Sequence, residues 1–385
     1  MITAEGCNAR RKRLWDALEA AGQKPDVLVI ADPQHLTYFA GYHQSPFVFR
    51  SNDAAAILLL YRDGPAVIVA DNLVGVFAEK AHADERHAPV WYRSVESAPH
   101  REAFLVSNTL DRLGKSPVGS VGVELAQVPA GVLEGLRAKN PGLKVTDLDP
   151  LIRPLKRRKD PDELTLLRAS MRAGEAGQAA AMKGLRPGMT ELQAYLLVQE
   201  AALRAAGEQA IVYGDFVSGP RTEGGGGPPS DRVIAEGDLF ISDFSVVLAH
   251  YRCDFANTFV VAGGKPTAKQ REMFEACTAA MAAAEAKLRA GVPAREVDAA
   301  CRNVFAARHL DKTFPHHTGH GIGLGHPEPP YIVPESSDTL VAGDVVTIEP
   351  GNYIKGVGGM RFERNYLVTQ TGFELLSKHA ISIEA

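Results

Sequence analysis

The sequence predicts a two-domain α+β protein, with an N-terminal α/β domain over residues 1–158 and a C-terminal domain over 159–385 made of two duplicated halves. Three observations predict it. At 385 residues and 45% hydrophobic content, the chain is longer than one ordinary core needs. Helix and strand signals alternate through the first domain. Beyond it, a helix–helix–strand pattern occurs twice.

The first helical signal covers Arg10 to Ala21 and leads into the apolar run VLVIA at Val27 to Ala31. AAAILLLY and AVIVA follow, short β-type runs bounded by Gly, Pro, Asp and Asn. Together they predict a mixed sheet that closes near Ile152 to Lys159. Tyr38, Phe39, Tyr42, Phe47 and Phe49 form an aromatic cluster best read as core packing. Lys156-Arg157-Arg158-Lys159 is the one basic run, and acids follow it at Asp160 and Asp162, so it reads as a solvated linker.

Composition excludes several classes of function. A formal charge of −4 leaves no electrostatic footprint for nucleic acid. The longest apolar run, Ala54 to Tyr61, is too short to cross a bilayer, which predicts no membrane partner. Cys7, Cys253, Cys277 and Cys301 have no paired short spacing, which argues against a disulfide framework and a structural zinc site and suits a reducing cytoplasm. The charged, amphipathic start carries no signal-peptide pattern.

Helix starts are well marked in the second domain. Asp160-Pro161-Asp162-Glu163 offers an N-cap acid, proline at the first helical position and Glu at the third. Thr190 with Gln193, and Thr267 with Gln270, repeat the capping-box logic. Leu192, Leu196 and Leu203 share one helical face, as do Val297, Cys301, Val304 and Phe305. LRPGMTELQ at Leu185 to Gln193 resembles LRAGVPAREV at Leu288 to Val297, and each joins two helices ahead of a β-rich stretch. Such a duplication predicts two halves facing each other across a cleft.

Acids and one imidazole mark those β-rich stretches. LFISDFSVVLAHYRCDFANTFVV holds Asp243 at the end of an apolar strand and Asp254 at the start of a second one, after the turn around Ala249 and His250. Adjacent antiparallel strands can bring such residues side by side. HHTGHGIGLGHPEPP sets His320 between glycines that permit close approach to a ligand or substrate. VVTIEPG ends an apolar strand on Glu349, and GGMRFERNYLVT carries Glu363 with Arg361 two residues earlier on the same face. Acids in apolar runs are costly unless paired or bound to a metal. Four carboxylates and one imidazole can hold two divalent cations with a position left for hydroxide.

GHGIG, TIEPG and the two-Asp strand pair, taken together, resemble the pita-bread metallopeptidases, the family of methionine aminopeptidase, aminopeptidase P, prolidase and creatinase. QHLTYFAGYHQ at Gln34 to Gln44 resembles the start of that family's creatinase-like N-terminal domain, so the likeness covers nearly the full length. It implies that Asp243 binds one metal, that Asp254 and Glu363 bridge, and that His320 and Glu349 complete the second. It also implies Glu349 as proton acceptor, manganese as the metal and a homodimer. In that dimer the aromatic cluster reaches over the partner's cleft. Oxygen-rich donors with one nitrogen suit cobalt, zinc and iron as well.

Two departures bear on catalysis. The loop VSGPRTEGGGGPPSDRV lacks the histidine that peptidases of this family carry there. Gly224 to Gly227 read better as a mobile rim than as a phosphate cradle, since no following Lys-Ser/Thr opens a helix. The family's later histidine precedes Glu directly, whereas here Pro327 precedes Glu328 and His326 stands one position early. Arg364 also stands where an acid is common, and Asn257 where Arg is common. The catalytic candidates are Glu349, His326 and Arg361. The expected function is a dinuclear metal-dependent hydrolase that cleaves the N-terminal amide bond of small peptides, Xaa-Pro above others, through a metal-bridging hydroxide. The alternative is a hydrolase or lyase acting on a non-peptide C–N substrate.

Overall fold

The computed structural model describes residues 1–115 and 118–384. It divides into two compact units, Met1–Lys156 and Arg157–Ala385. In the first unit, six strands form one mixed sheet. They are β1 (Val27–Ile30), β2 (Ile57–Tyr61), β3 (Ala66–Val69), β4 (Glu85–His87), β5 (Ser120–Val123) and β6 (Lys144–Asp147), in the order β4-β3-β2-β1-β5-β6. β1–β2 and β2–β3 pair antiparallel, while β1–β5, β3–β4 and β5–β6 pair parallel.

Helices α1 (Ala4–Ala20), α2 (Pro33–Ala40), α3 (Gly75–Ala78), α4 (Arg101–Leu113), α5 (Ala130–Lys139) and α6 (Asp149–Leu155) complete the unit. β1 and β3 are buried at every position, the pattern of strands covered on both faces. Val27, Val29, Leu59 and Val67 of one face pack with Leu105 of α4 and Val132 of α5. Tyr38, Phe39 and Tyr42 are buried, but Phe49 is 92% exposed. Core packing therefore accounts for only part of the aromatic cluster.

The second unit opens with α7 (Pro161–Gly184) and α8 (Glu191–Ala206), then β7 (Ile211–Ser218), β8 (Leu239–Leu248), β9 (Tyr251–Arg252) and β10 (Phe255–Val260). A second helix pair, α9 (Ala268–Glu285) and α10 (Ala294–Ala307), precedes β11 (Gly319–Gly321), β12 (Glu328–Ile332) and β13 (Val345–Ile348). β14 (Gly351–Ile354), β15 (Gly358–Arg361), β16 (Arg364–Val368) and β17 (Phe373–Leu375) close the chain. Two main sheets result, β10-β8-β7 with β9 on β8, and β12-β11-β13-β16-β17, beside the hairpin β14-β15. All three capping boxes form, at Asp160, Thr190 and Thr267.

Two local sequence features are resolved here by tertiary packing, and one of them overturns an expectation. α8 buries Glu191, Ala194, Val198 and Ala202. Its leucine stripe is turned outward, with Leu192 and Leu196 48% and 49% exposed. After Glu191 in its first turn, the packed side carries Ala194, Val198 and Ala202, all smaller than leucine. The basic run is no solvated linker. Arg157 donates two hydrogen bonds to the buried Asp344, at 2.9 and 2.6 Å, and buried Lys159 places Nζ 2.6 Å from Glu328 Oε1.

Candidate metal centre

Asp243 lies in the middle of β8, not at a strand end as expected, because the apolar run continues through Ser245, Val246, Val247 and Leu248. In register it faces Asp215 of β7 on one side and Ala256 of β10 on the other. Carboxylates on directly opposite positions repel. Arg361 relieves that repulsion: Nε donates to Asp243 Oδ2 at 2.5 Å and Nη2 donates to Asp215 Oδ2 at 2.8 Å. Its Nη1 donates to the Gly225 carbonyl at 2.8 Å and the Tyr353 hydroxyl at 3.1 Å. Asp254 stands just ahead of β10, its backbone N–H held by Asn365 Oδ1 at 3.1 Å.

The second half of the unit brings the other three residues. His320 is the central residue of β11, and its flanking glycines let the neighbouring strands approach closely. A Cβ at Gly319 would lie 2.0 Å from the Thr347 carbonyl oxygen. Glu349 directly follows β13 and donates its N–H to Thr318 O at 2.8 Å. Glu363 does not share a strand with Arg361, because it sits at the break between β15 and β16, which belong to different sheets. Both residues nonetheless line one cavity of about 760 Å³, together with Asp243, Asp254, His320 and Glu349.

Within that cavity, ligand-type atoms of Asp243, Asp254 and Glu363 lie within 4.8 Å of one another, and so do those of His320, Glu349 and Glu363. Asp254 also forms a third such group with His320 and His326. The surroundings fit positive charge. Glu363 Oε1 is buried with no hydrogen-bond partner. Burial, then the charges of Asp254, Glu349 and Asp243, raises the Glu363 carboxyl well above the usual range. Burial likewise lifts Asp243 to about 7, although Arg361 pulls it down. His320 Nδ1 donates to the Gly321 carbonyl at 2.9 Å. Its Nε2 then faces Asp254 and Glu349 at 3.6 and 3.5 Å, beyond hydrogen-bond reach. A ring nitrogen oriented by a backbone carbonyl and aimed at carboxylates is an arrangement suited to a divalent cation.

The remaining imidazoles tune the acids. His326 Nε2 lies 2.5 Å from Asp254 Oδ2, and His317 Nε2 lies 3.0 Å from Glu349 Oε1. Burial would raise Glu349, but the His317 hydrogen bond and the charges of His317, His320 and His316 lower it below the usual range. Burial pushes His316 down to about 4, so its ring is neutral at physiological pH. Its Nδ1 donates to the His317 carbonyl at 2.9 Å, and the Tyr353 hydroxyl donates to its Nε2 at 3.0 Å.

Asp215 and Tyr353 were not among the sequence candidates. Asp215 carried a usable signal, an acid within the β-type run IVYGDFVS, whereas nothing local to Tyr353 singles it out. The four-glycine run is not a free rim. Gly227 N–H donates to Asp215 Oδ1 at 2.9 Å, the Gly225 carbonyl accepts from Arg361, and a Cβ at Gly226 would lie 2.0 Å from Asp215 Oδ2. The glycines allow backbone to pass against Asp215, which also excludes a phosphate cradle at that point.

Known proteins share this architecture. The family model for metallopeptidase family M24 matches residues 165–370, and that for the creatinase/prolidase N-terminal domain matches residues 10–156. An uncharacterized peptidase of Staphylococcus aureus (strain USA300) is 26% identical over 368 residues, covering 94% of this chain and 97% of its own. The crystal structure of the prolidase from Pyrococcus horikoshii OT3 is similar with a TM-score of 0.79 and 25% identity, over 97% of this chain and 99% of that one. A dipeptidase from Mycobacterium ulcerans is similar with a TM-score of 0.77 and 26% identity, over all of both chains.

Proposed function

Because the chain belongs to metallopeptidase family M24, we propose that it is a dinuclear enzyme cleaving the N-terminal amide bond of small peptides, Xaa-Pro above others. The observation that carries this reading is the pair of donor groups that share Glu363. Asp243, Asp254 and Glu363 would hold one divalent cation, and His320, Glu349, Asp254 and Glu363 the other. Bound there, the cations supply a water acidified toward neutrality and polarise the scissile carbonyl.

The protein groups divide the remaining work. Glu349 accepts the proton of the attacking water, its Oε1 oriented by the Thr347 hydroxyl at 3.1 Å and by His317. His326, which faces Asp254 in the cavity, would turn to donate to the substrate oxygen as charge develops there. Arg361 holds Asp243 in place and favours its ionised form against the effect of burial. Manganese is the metal of choice, with cobalt, zinc or iron able to use the same donors. The proposal extends to a cytoplasmic homodimer. Four buried free thiols suit a reducing compartment, and no helix among the described residues is long and apolar enough to cross a membrane.

A second reading keeps the cations and changes the substrate to a non-peptide C–N compound. It is favoured by the 219–231 loop, which presents Glu223 and glycine backbone to the cavity in place of an imidazole. Purified protein loaded with Mn(II) is assayed on Xaa-Pro dipeptides and longer Xaa-Pro peptides. Release of the N-terminal residue is expected. Metal-bound protein that turns over none of them rejects the peptidase assignment and leaves the second reading.

A further inference from the structure

The cavity holds more negative charge than two divalent cations would neutralise. Asp215 and Glu223 line it in addition to the four acids of the proposed centre. Arg361 is the sole Lys or Arg among the described residues lining it, and a guanidinium has five N–H donors. All are placed: Nε on Asp243, Nη1 on the Gly225 carbonyl and Tyr353 hydroxyl, and Nη2 on Asp215 and Asp243. His317 and His326 are turned onto Glu349 and Asp254. If two divalent cations offset four carboxylates, Asp215 and Glu223 still outnumber Arg361 by one charge.

We infer, on the basis of the peptidase reading above, that the substrate continues beyond the proline or ends in an amide, and that a free Xaa-Pro dipeptide is a poor substrate. In such a dipeptide the carboxylate hangs on the proline Cα, next to the scissile nitrogen, so it must enter the cavity with the bond being cut. Recognition of a buried carboxylate needs a cation or a guanidinium fork with donors to spare. Apart from the two metal cations, which the water and the scissile carbonyl would occupy, the described lining residues offer neither, and like charges brought together there oppose binding. Each added residue carries the terminal carboxylate up to about 3.5 Å further from the acids. A protonated α-amine suits the same walls.

The test uses the full-length protein loaded with Mn(II). kcat/KM is compared for Ala-Pro, Ala-Pro-amide and Ala-Pro-Ala, and inhibition constants for proline and prolinamide. The amide and tripeptide are expected to exceed the dipeptide by about tenfold or more, equivalent to 1.4 kcal/mol, with prolinamide the stronger inhibitor. Glu223→Gln should narrow the gap between amide and dipeptide. A dipeptide cleaved as well as its amide overturns this inference while leaving the peptidase assignment intact. Cleavage of none of the three overturns the assignment, and this inference with it.

Discussion

Arg361 Nε donates to Asp243 Oδ2 at 2.5 Å across 118 positions of sequence, so an acid from the first half of the catalytic unit is completed by a residue from the second. The same guanidinium reaches Asp215, which faces Asp243 on the neighbouring strand. One cation therefore fixes two carboxylates and, through the Gly225 carbonyl, the glycine run that borders them.

Replacing Arg361 with Met leaves Asp243 and Asp215 opposed without that cation. Removing one member of a buried pair costs about 3 kcal/mol or more. Asp243, already raised to about 7 mainly by burial, recovers part of this by taking up a proton. A loss on the order of 2 kcal/mol in urea melts is expected, and a fall in metal affinity of roughly tenfold to a hundredfold. Arg361→Lys restores charge but not the fork, so it should recover only part of either. Unchanged metal affinity in the Met variant would contradict the positioning role.

Glu363 belongs to both donor groups, and without metal it is a buried acid with an oxygen unpartnered. Glu363→Gln keeps the shape and removes the charge. Thermal melts without metal should show the variant at least as stable as the parent. Adding Mn(II) at a hundredfold excess over its Kd should stabilise the parent by about 2.7 kcal/mol and the variant far less. Equal metal-induced shifts in the two proteins would argue against a shared ligand.

What could be read from sequence is what is complete within a few residues. The capping boxes at Asp160, Thr190 and Thr267 need only four positions each, and all three form. Asp243, Glu349 and His320 stood out because a polar group in an apolar run needs a reason to be there. The misses share one cause, a partner supplied by tertiary or strand pairing and not by the immediately neighbouring residues. Lys159 finds Glu328 across 169 positions, and Tyr353 meets Arg361 only because β14 and β15 pair. The leucines of α8 are apolar at helical spacing, yet the buried side is the one that carries Glu191, Ala194, Val198 and Ala202.

Lys159 and Glu328 form a buried pair, and Glu328 also accepts the Gly325 N–H at 3.0 Å, in the segment that carries His326. Lys159→Met strands the carboxylate and should cost about 3 kcal/mol in urea. Adding Glu328→Gln should return a good part of it. A double-mutant cycle is expected to give a coupling above about 1 kcal/mol. A coupling near zero would mean the pair contributes packing and no electrostatics.

His379 supplies a pH dependence separate from the proposed ligands. Its ring stacks on Phe255 with centroids 4.7 Å apart, Nε2 donates to the Ala256 carbonyl at 3.3 Å, and Nδ1 is buried without a partner. Burial lowers it to about 4 from an ordinary 6.5, with Arg364 adding to the effect and the Ala256 hydrogen bond opposing it. The unfolded chain therefore binds a proton that the folded chain refuses, and stability rises with pH across that interval. Above 6.5 the contribution is complete, and it is withdrawn as pH falls toward 4. Relative to His379→Gln, the parent should lose about 1.4 kcal/mol per pH unit in that window, measured as a difference between urea-derived stabilities. Taking the difference removes the opposing slope from Asp243, whose raised carboxyl favours the fold at low pH in both proteins. A flat difference profile between pH 6.5 and 4 would mean that His379 opens to water before it is protonated.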